Sequence, residues 1–128
     1  MSKKAPANTA DASSSVAMFV QAKAAQGFAA PGKKDPANFL VIVTDPITGE
    51  AITDLVKKNF TVINHFSIPA QTCGFSNNIV TFNNVGTGAY QIQVAPKGCT
   101  WVAGDYLAQV IVAAKGRNGQ APVKLSIK

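Results

Sequence analysis

Two stretches, Gly88-Ala89-Tyr90-Gln91-Ile92-Gln93-Val94 and Gly104-Asp105-Tyr106-Leu107-Ala108-Gln109-Val110-Ile111-Val112, are built alike. Each opens on a glycine, passes one spacer to a tyrosine, and then runs as a strand rich in β-branched residues. A glycine relieves the turn, and a period of two places every second side chain on one face, so each stretch reads as a turn feeding a half-buried strand. Tyr90, Ile92 and Val94 face inward, with Gln91 and Gln93 outward. In the second stretch Leu107 and Ile111 lie opposite Tyr106, Ala108, Val110 and Val112.

Working outward, the same pattern recurs. Phe39 to Val43 is an apolar run that reads as a strand buried on both faces or covered on its outer one. Asn59 to Phe66 alternates, with Phe60 and Val62 inward and Thr61, Ile63 and His65 outward. Ile79 to Asn83 is expected to direct Val80 and Phe82 into the core. Val123, Leu125 and Ile127 close the chain, with Lys124 and Ser126 outward. Lys115-Gly116-Arg117-Asn118-Gly119 reads as a tight hairpin, with Asn118-Gly119 its strongest turn signal because both residues tolerate positive φ. Six to seven short strands with turns every 8–12 residues or so predict an all-β, antiparallel two-sheet sandwich.

The matching positions are Val41-x-Val43-x-Asp45-x-x-Thr48-Gly49, then Gly88-x-Tyr90-x-Ile92-x-Val94, then Trp101-x-x-Gly104-Asp105-Tyr106. Over roughly Phe39 to Ile127 the chain resembles the immunoglobulin-like and prealbumin-like sandwich modules. The resemblance implies that Tyr90 or Tyr106 ties a strand start to a loop. It is specific for architecture and carries little about function. It does not extend to the mid-strand disulfide of antibody domains, since Cys73 and Cys99 fall in predicted loops.

Ahead of this domain, assigned to residues 38–128, residues 1–37 read as a flexible arm and linker. Residues 1–15 are small and polar. Val16, Phe19, Val20 and Ala24 sit near helical spacing, and Ser13 or Ser14 and Gly27 suit the ends of a short helix over 13–26. Helices of this length are marginal alone.

Hydrophobic residues make up 47% of the chain and charged ones only 14%, so Thr, Ser, Asn, Gln and Gly must cover much of the surface. The net charge is +6, but five of the twelve cations lie in the first 38 residues. Without a dense Lys/Arg run, nucleic acid is not an expected partner. No apolar run approaches the ~20 residues of a membrane-spanning helix. Val16 to Ala25 is broken by Gln21 and Lys23, so no signal peptide is expected here. The compartment stays open between the cytoplasm and a virion or extracellular site reached without a cleaved signal.

Candidate chemistry is sparse. Cys73 and Cys99 are expected to bridge two loops, closing about 25 residues for roughly 3–4 kcal/mol. Two free thiols in a reducing compartment are the alternative. Two cysteines and one histidine are too few for a metal centre, and no cofactor is expected. His65 lacks the context of a general base beyond Ser67 and Thr61 on its strand. Asp45 and Asp54 are expected to cap turns, since a hard cation wants about six to eight oxygens.

Surplus apolar strand surface marks a contact. Val16, Phe19, Val20, Leu40, Ile42, Leu107 and Ile111 are therefore interface candidates, covered by the N-terminal segment or by another subunit. The expected function is non-catalytic: a structural or attachment subunit of a phage particle, secretion apparatus or surface appendage, working by protein contact or self-association. The alternative is a carbohydrate or small-ligand module using loop-tip residues around Trp101.

Overall fold

The computed structural model describes residues 17–71 and 74–128. Seven strands form two antiparallel sheets. One contains β1 (Phe19–Ala25), β2 (Ala37–Thr44), β5 (Ala89–Val94) and β4 (Ile79–Gly86), in the order β1-β2-β5-β4. The other contains β3 (Phe60–Ile68), β6 (Gly104–Ala114) and β7 (Arg117–Ile127), in the order β3-β6-β7. The chain changes sheet after β2, β3 and β5.

Period-two burial builds the core. Phe39, Val41 and Val43 of β2 and Tyr90, Ile92 and Val94 of β5 are fully buried from one side. Tyr106, Val110 and Val112 of β6 and Leu125 and Ile127 of β7 meet them from the other. Among the described residues no polar or charged side chain is classed as buried apart from the two tyrosines and Trp101. Burial of apolar surface at about 25 cal/mol per Å² is therefore the main cohesive force.

Both tyrosines tie a strand start to a loop, where the resemblance implies this of Tyr90 or Tyr106. The Tyr106 hydroxyl donates to the Val102 carbonyl at 2.7 Å and accepts from the Val102 N–H at 3.1 Å. The Tyr90 hydroxyl donates to the Ile52 carbonyl at 2.6 Å and accepts from the Leu55 N–H at 3.3 Å. Gly104 is needed because a Cβ there would sit 2.7 Å from the Ile68 carbonyl oxygen, at a φ of +148°.

Four expectations are corrected. The segment expected as a helix over 13–26 forms strand β1 across Phe19–Ala25. Val20 and Ala24 satisfy both a helical and a period-two template. The open edge of β2 decides between them, offering seven paired positions from Phe19↔Thr44 to Ala25↔Asn38. The folded body accordingly begins well before residue 38. Ala17 bridges Asn118 in parallel, and the Met18 N–H donates to the Asn118 carbonyl at 2.9 Å, so β1 also closes one side of the sandwich against β7.

The β6–β7 hairpin falls within the expected stretch, but its central pair is Lys115-Gly116, at φ +52° and +78°, and not Asn118-Gly119. Positive φ at both central residues is the hairpin geometry that matches strand twist. Asn118 and Gly119 instead lie within β7, paired to Ala113 and Val112. Finally, Val80 is 48% exposed. A register shift between Ile79 and Thr81 turns it outward, and Ile79 packs against the core in its place.

Candidate interaction surface

The sequence candidates scatter once folded. Trp101 is 2% exposed, its indole N–H donates to the Asp35 carbonyl at 2.7 Å, and its ring lies 5.8 Å from Phe75 and 5.4 Å from Tyr106. It is a core residue and offers no stacking face to a sugar, which corrects the expectation that Trp101 itself contacts a ligand. Val20 is likewise core, at 5% exposure, not interface. Val16 lies outside the described residues, as does Cys73, so the expected Cys73–Cys99 bridge is not described.

Phe19, Leu40 and Ile42 do face solvent, together on the outer face of the four-stranded sheet. Leu107 and Ile111 lie half-buried on the outer face of the three-stranded sheet, on the opposite side of the molecule.

The polar candidates are engaged structurally. The His65 Nε2 pairs with the Gln109 side-chain oxygen at 3.0 Å, across an irregularity in β3. The Asp45 carboxylate accepts the N–H groups of Ile47 and Thr48 at 2.8 and 3.0 Å and pairs with Arg117 at 2.8 Å. The two turn amides, Thr48 first, hold the Asp45 carboxyl below its ordinary range, with Arg117 adding to them. Asp54 pairs with Lys115 at 3.1 Å, which lowers its carboxyl too. Among the described residues no three His, Cys, Asp or Glu side chains converge as a metal site would require.

A cavity of about 500 Å³ opens at the end of the sandwich, between the Ile52–Asn59 loop and the β6–β7 hairpin. Met18 and Leu55 contribute apolar lining, and Lys58 and Lys115 line it as well.

The side of the sandwich opposite the β1–β7 seam is built differently. Its edges are β3 and β4, and among the described residues no backbone ladder joins them. Phe60 of β3 and Phe82 of β4 meet there ring to ring at 5.1 Å, with Tyr90 behind them at 5.2 Å from Phe60. The edge of β3 is covered by its own chain: the Asn77 N–H donates to the Val62 carbonyl at 2.8 Å, and Ser76 Oγ accepts the Asn64 N–H at 2.7 Å. Among the described residues no strand pairs with the outer edge of β4. Phe66 and Ile68 on β3 are each 58% exposed, and Val85 on β4 is 53% exposed.

Strands β3, β4 and β5 carry no ionisable residue except His65 and the buried Tyr90, although Asp105 of β6 pairs with Ile68 and Lys124 of β7 lies near Phe66. Between Lys58 and Lys97 the chain contains no Asp, Glu, Lys or Arg, and β3, β4 and β5 all fall within that interval. All 18 charged residues lie outside it. The uncharged interval was visible in the sequence. Its meaning depends on topology, since only the fold brings β3 and β4 to one side.

Comparison with protein-family models, with curated proteins and with solved structures gives no match. The reading of function therefore rests on the geometry of this chain.

Proposed function

We propose that the protein is a non-catalytic, immunoglobulin-like module that works by protein–protein contact, as a structural or attachment subunit of a larger assembly such as a virion, a secretion apparatus or a surface appendage. One observation carries the proposal: in a chain of net charge +6, strands β3, β4 and β5 hold no Asp, Glu, Lys or Arg, and Phe66, Ile68, Val80 and Val85 of β3 and β4 are exposed. Contact surfaces are depleted of charge at their centre, and desolvating a lysine or aspartate there is costly. The strand order and the Tyr106 corner support the immunoglobulin-like assignment.

The expected Cys73–Cys99 bridge belongs to this proposal, because a module working outside a reducing compartment gains from a staple between loops.

Sedimentation of native host material tests the function. The protein is expected to travel with a large particle and to leave it when Phe66→Lys and Val85→Lys are introduced together. Sedimentation at the position of the free chain would overturn the proposal.

A further inference from the structure

We propose that the outer edge of β4 pairs with the same strand of a second copy of this chain, forming a two-fold dimer with a continuous eight-stranded sheet. This rests on the contact reading above and names the partner.

An unpaired edge strand presents a row of N–H and C=O groups ready to accept another strand. Folded proteins blunt such edges with charge, proline, shortness, bulges or covering loops. The other edges of this sandwich are managed: β1 and β7 close on each other, and residues 76–77 cover β3. The β4 strand, Ile79-Val80-Thr81-Phe82-Asn83-Asn84-Val85-Gly86, has no charge and no proline. Register shifts occur only towards its two ends, between Ile79 and Thr81 and between Asn84 and Gly86. A regular segment, Thr81 to Asn84, is left between them.

Charge favours a second copy as the occupant. Two molecules of net charge +6 repel wherever their cations face each other. Strands β4 and β5 carry none, so two copies joined at β4 bring together strands without a cation of their own. At physiological salt, screening over about 8 Å removes much of the remaining repulsion.

The side chains fix a register. On the outer face a row of amides runs across the sheet. Gln91 and Gln93 both donate to the Asn38 side-chain oxygen, at 3.0 and 2.9 Å, and Asn83 donates to the Gln91 oxygen at 3.3 Å. The row stops at Asn83, on the free edge. Antiparallel pairing about a two-fold axis perpendicular to the sheet keeps outer-face residues opposite outer-face residues. Centring it on Asn83 places Asn83 opposite its own image, so the amide row runs on into the second copy. Such a contact is isologous and closed, and stops at two chains.

Light scattering on the purified full chain tests this. The mass is expected to rise from one chain to two between micromolar and millimolar concentration. Asn83→Lys sets two like charges opposite each other and should raise the concentration needed by about tenfold or more. Thr81→Lys on the same face should act in the same direction. An equal mixture of Asn83→Lys and Asn83→Asp should recover the two-chain species, a result that simple damage to the fold would not give. Circular dichroism confirms that each variant is folded. A wild-type mass that stays at one chain throughout overturns the pairing, as does a two-chain species indifferent to Asn83→Lys. Loss of the two-chain species on removing residues 1–16 would assign the contact to that segment and also overturn it. If the purified chain is monomeric yet sediments with a large particle in host material, self-pairing fails while the contact function stands.

Discussion

Replacing Tyr106 by phenylalanine isolates one polar device from the packing around it. The substitution keeps the ring, which lies 5.4 Å from Trp101 and 5.9 Å from Phe75, and deletes only the hydroxyl. That hydroxyl serves both main-chain groups of Val102. Each hydrogen bond contributes about 1 kcal/mol net, and the loss is larger where the orphaned group cannot reach water. Val102 is 45% exposed, so water can replace part of what is lost. The expected cost is about 1–2 kcal/mol, or a fall in Tm of roughly 4–8 °C for a domain of this size. Urea unfolding followed by fluorescence of Trp101, the sole tryptophan, measures it directly, and the slope of the transition should not change. Tyr106→Ala also removes the buried ring and should cost about 3–5 kcal/mol. A phenylalanine variant as stable as the parent would refute the corner. One as damaged as Tyr106→Ala would show that a mechanism other than the two hydrogen bonds is at work.

Three further outcomes are expected. Gly119→Ala should destabilise by about 1–3 kcal/mol, because its Cβ would collide with the Met18 carbonyl oxygen and crowd Val20, and denaturation midpoints check it; a neutral result would argue against β1 lying along β7. Burial raises the Tyr90 phenol above its ordinary 10.0, so the folded state holds its proton more tightly, and the stability this gives is present below pH 10 and lost as pH climbs through the raised value. Asp45 behaves oppositely: its lowered carboxyl contributes above its ordinary 3.8, and the contribution disappears as pH falls through the lowered value. Urea midpoints across pH should therefore lose their alkaline fall in Tyr90→Phe and part of their acid fall in Asp45→Asn. The mass of intact native protein should rise by two hydrogens on reduction if Cys73 and Cys99 are bridged.

Much of the sandwich was legible because its strands obey a period of two. Phe39-Leu40-Val41-Ile42-Val43 reads as a strand from composition alone, and the paired glycine-x-tyrosine motifs mark where β5 and β6 begin. What misled was local ambiguity settled by distant partners. Val20 and Ala24 suit a helix or a strand equally, and only the vacant edge of β2 makes the strand cheaper. Asn118-Gly119 has stronger turn chemistry than Lys115-Gly116. Yet turning there would shift the pairing of β7 against β6 by about six positions and take Val123 and Leu125 away from Ala108 and Tyr106. Trp101 reads as a loop residue and is one, but its loop folds inward over Phe75. Apolar surplus marks Phe19, Leu40 and Ile42, which do face solvent. The open side is defined equally by the charges it lacks, a pattern that gains meaning once β3 and β4 share one side.

Hydrogen exchange on the full chain, at low and at high protein concentration, tests the contact role of that side most directly. The amides of β4 are expected to gain protection as concentration rises, while those of β1 and β7 stay unchanged. Equal exchange of the β4 amides at both concentrations, or new protection at the β1–β7 seam instead, would contradict the account.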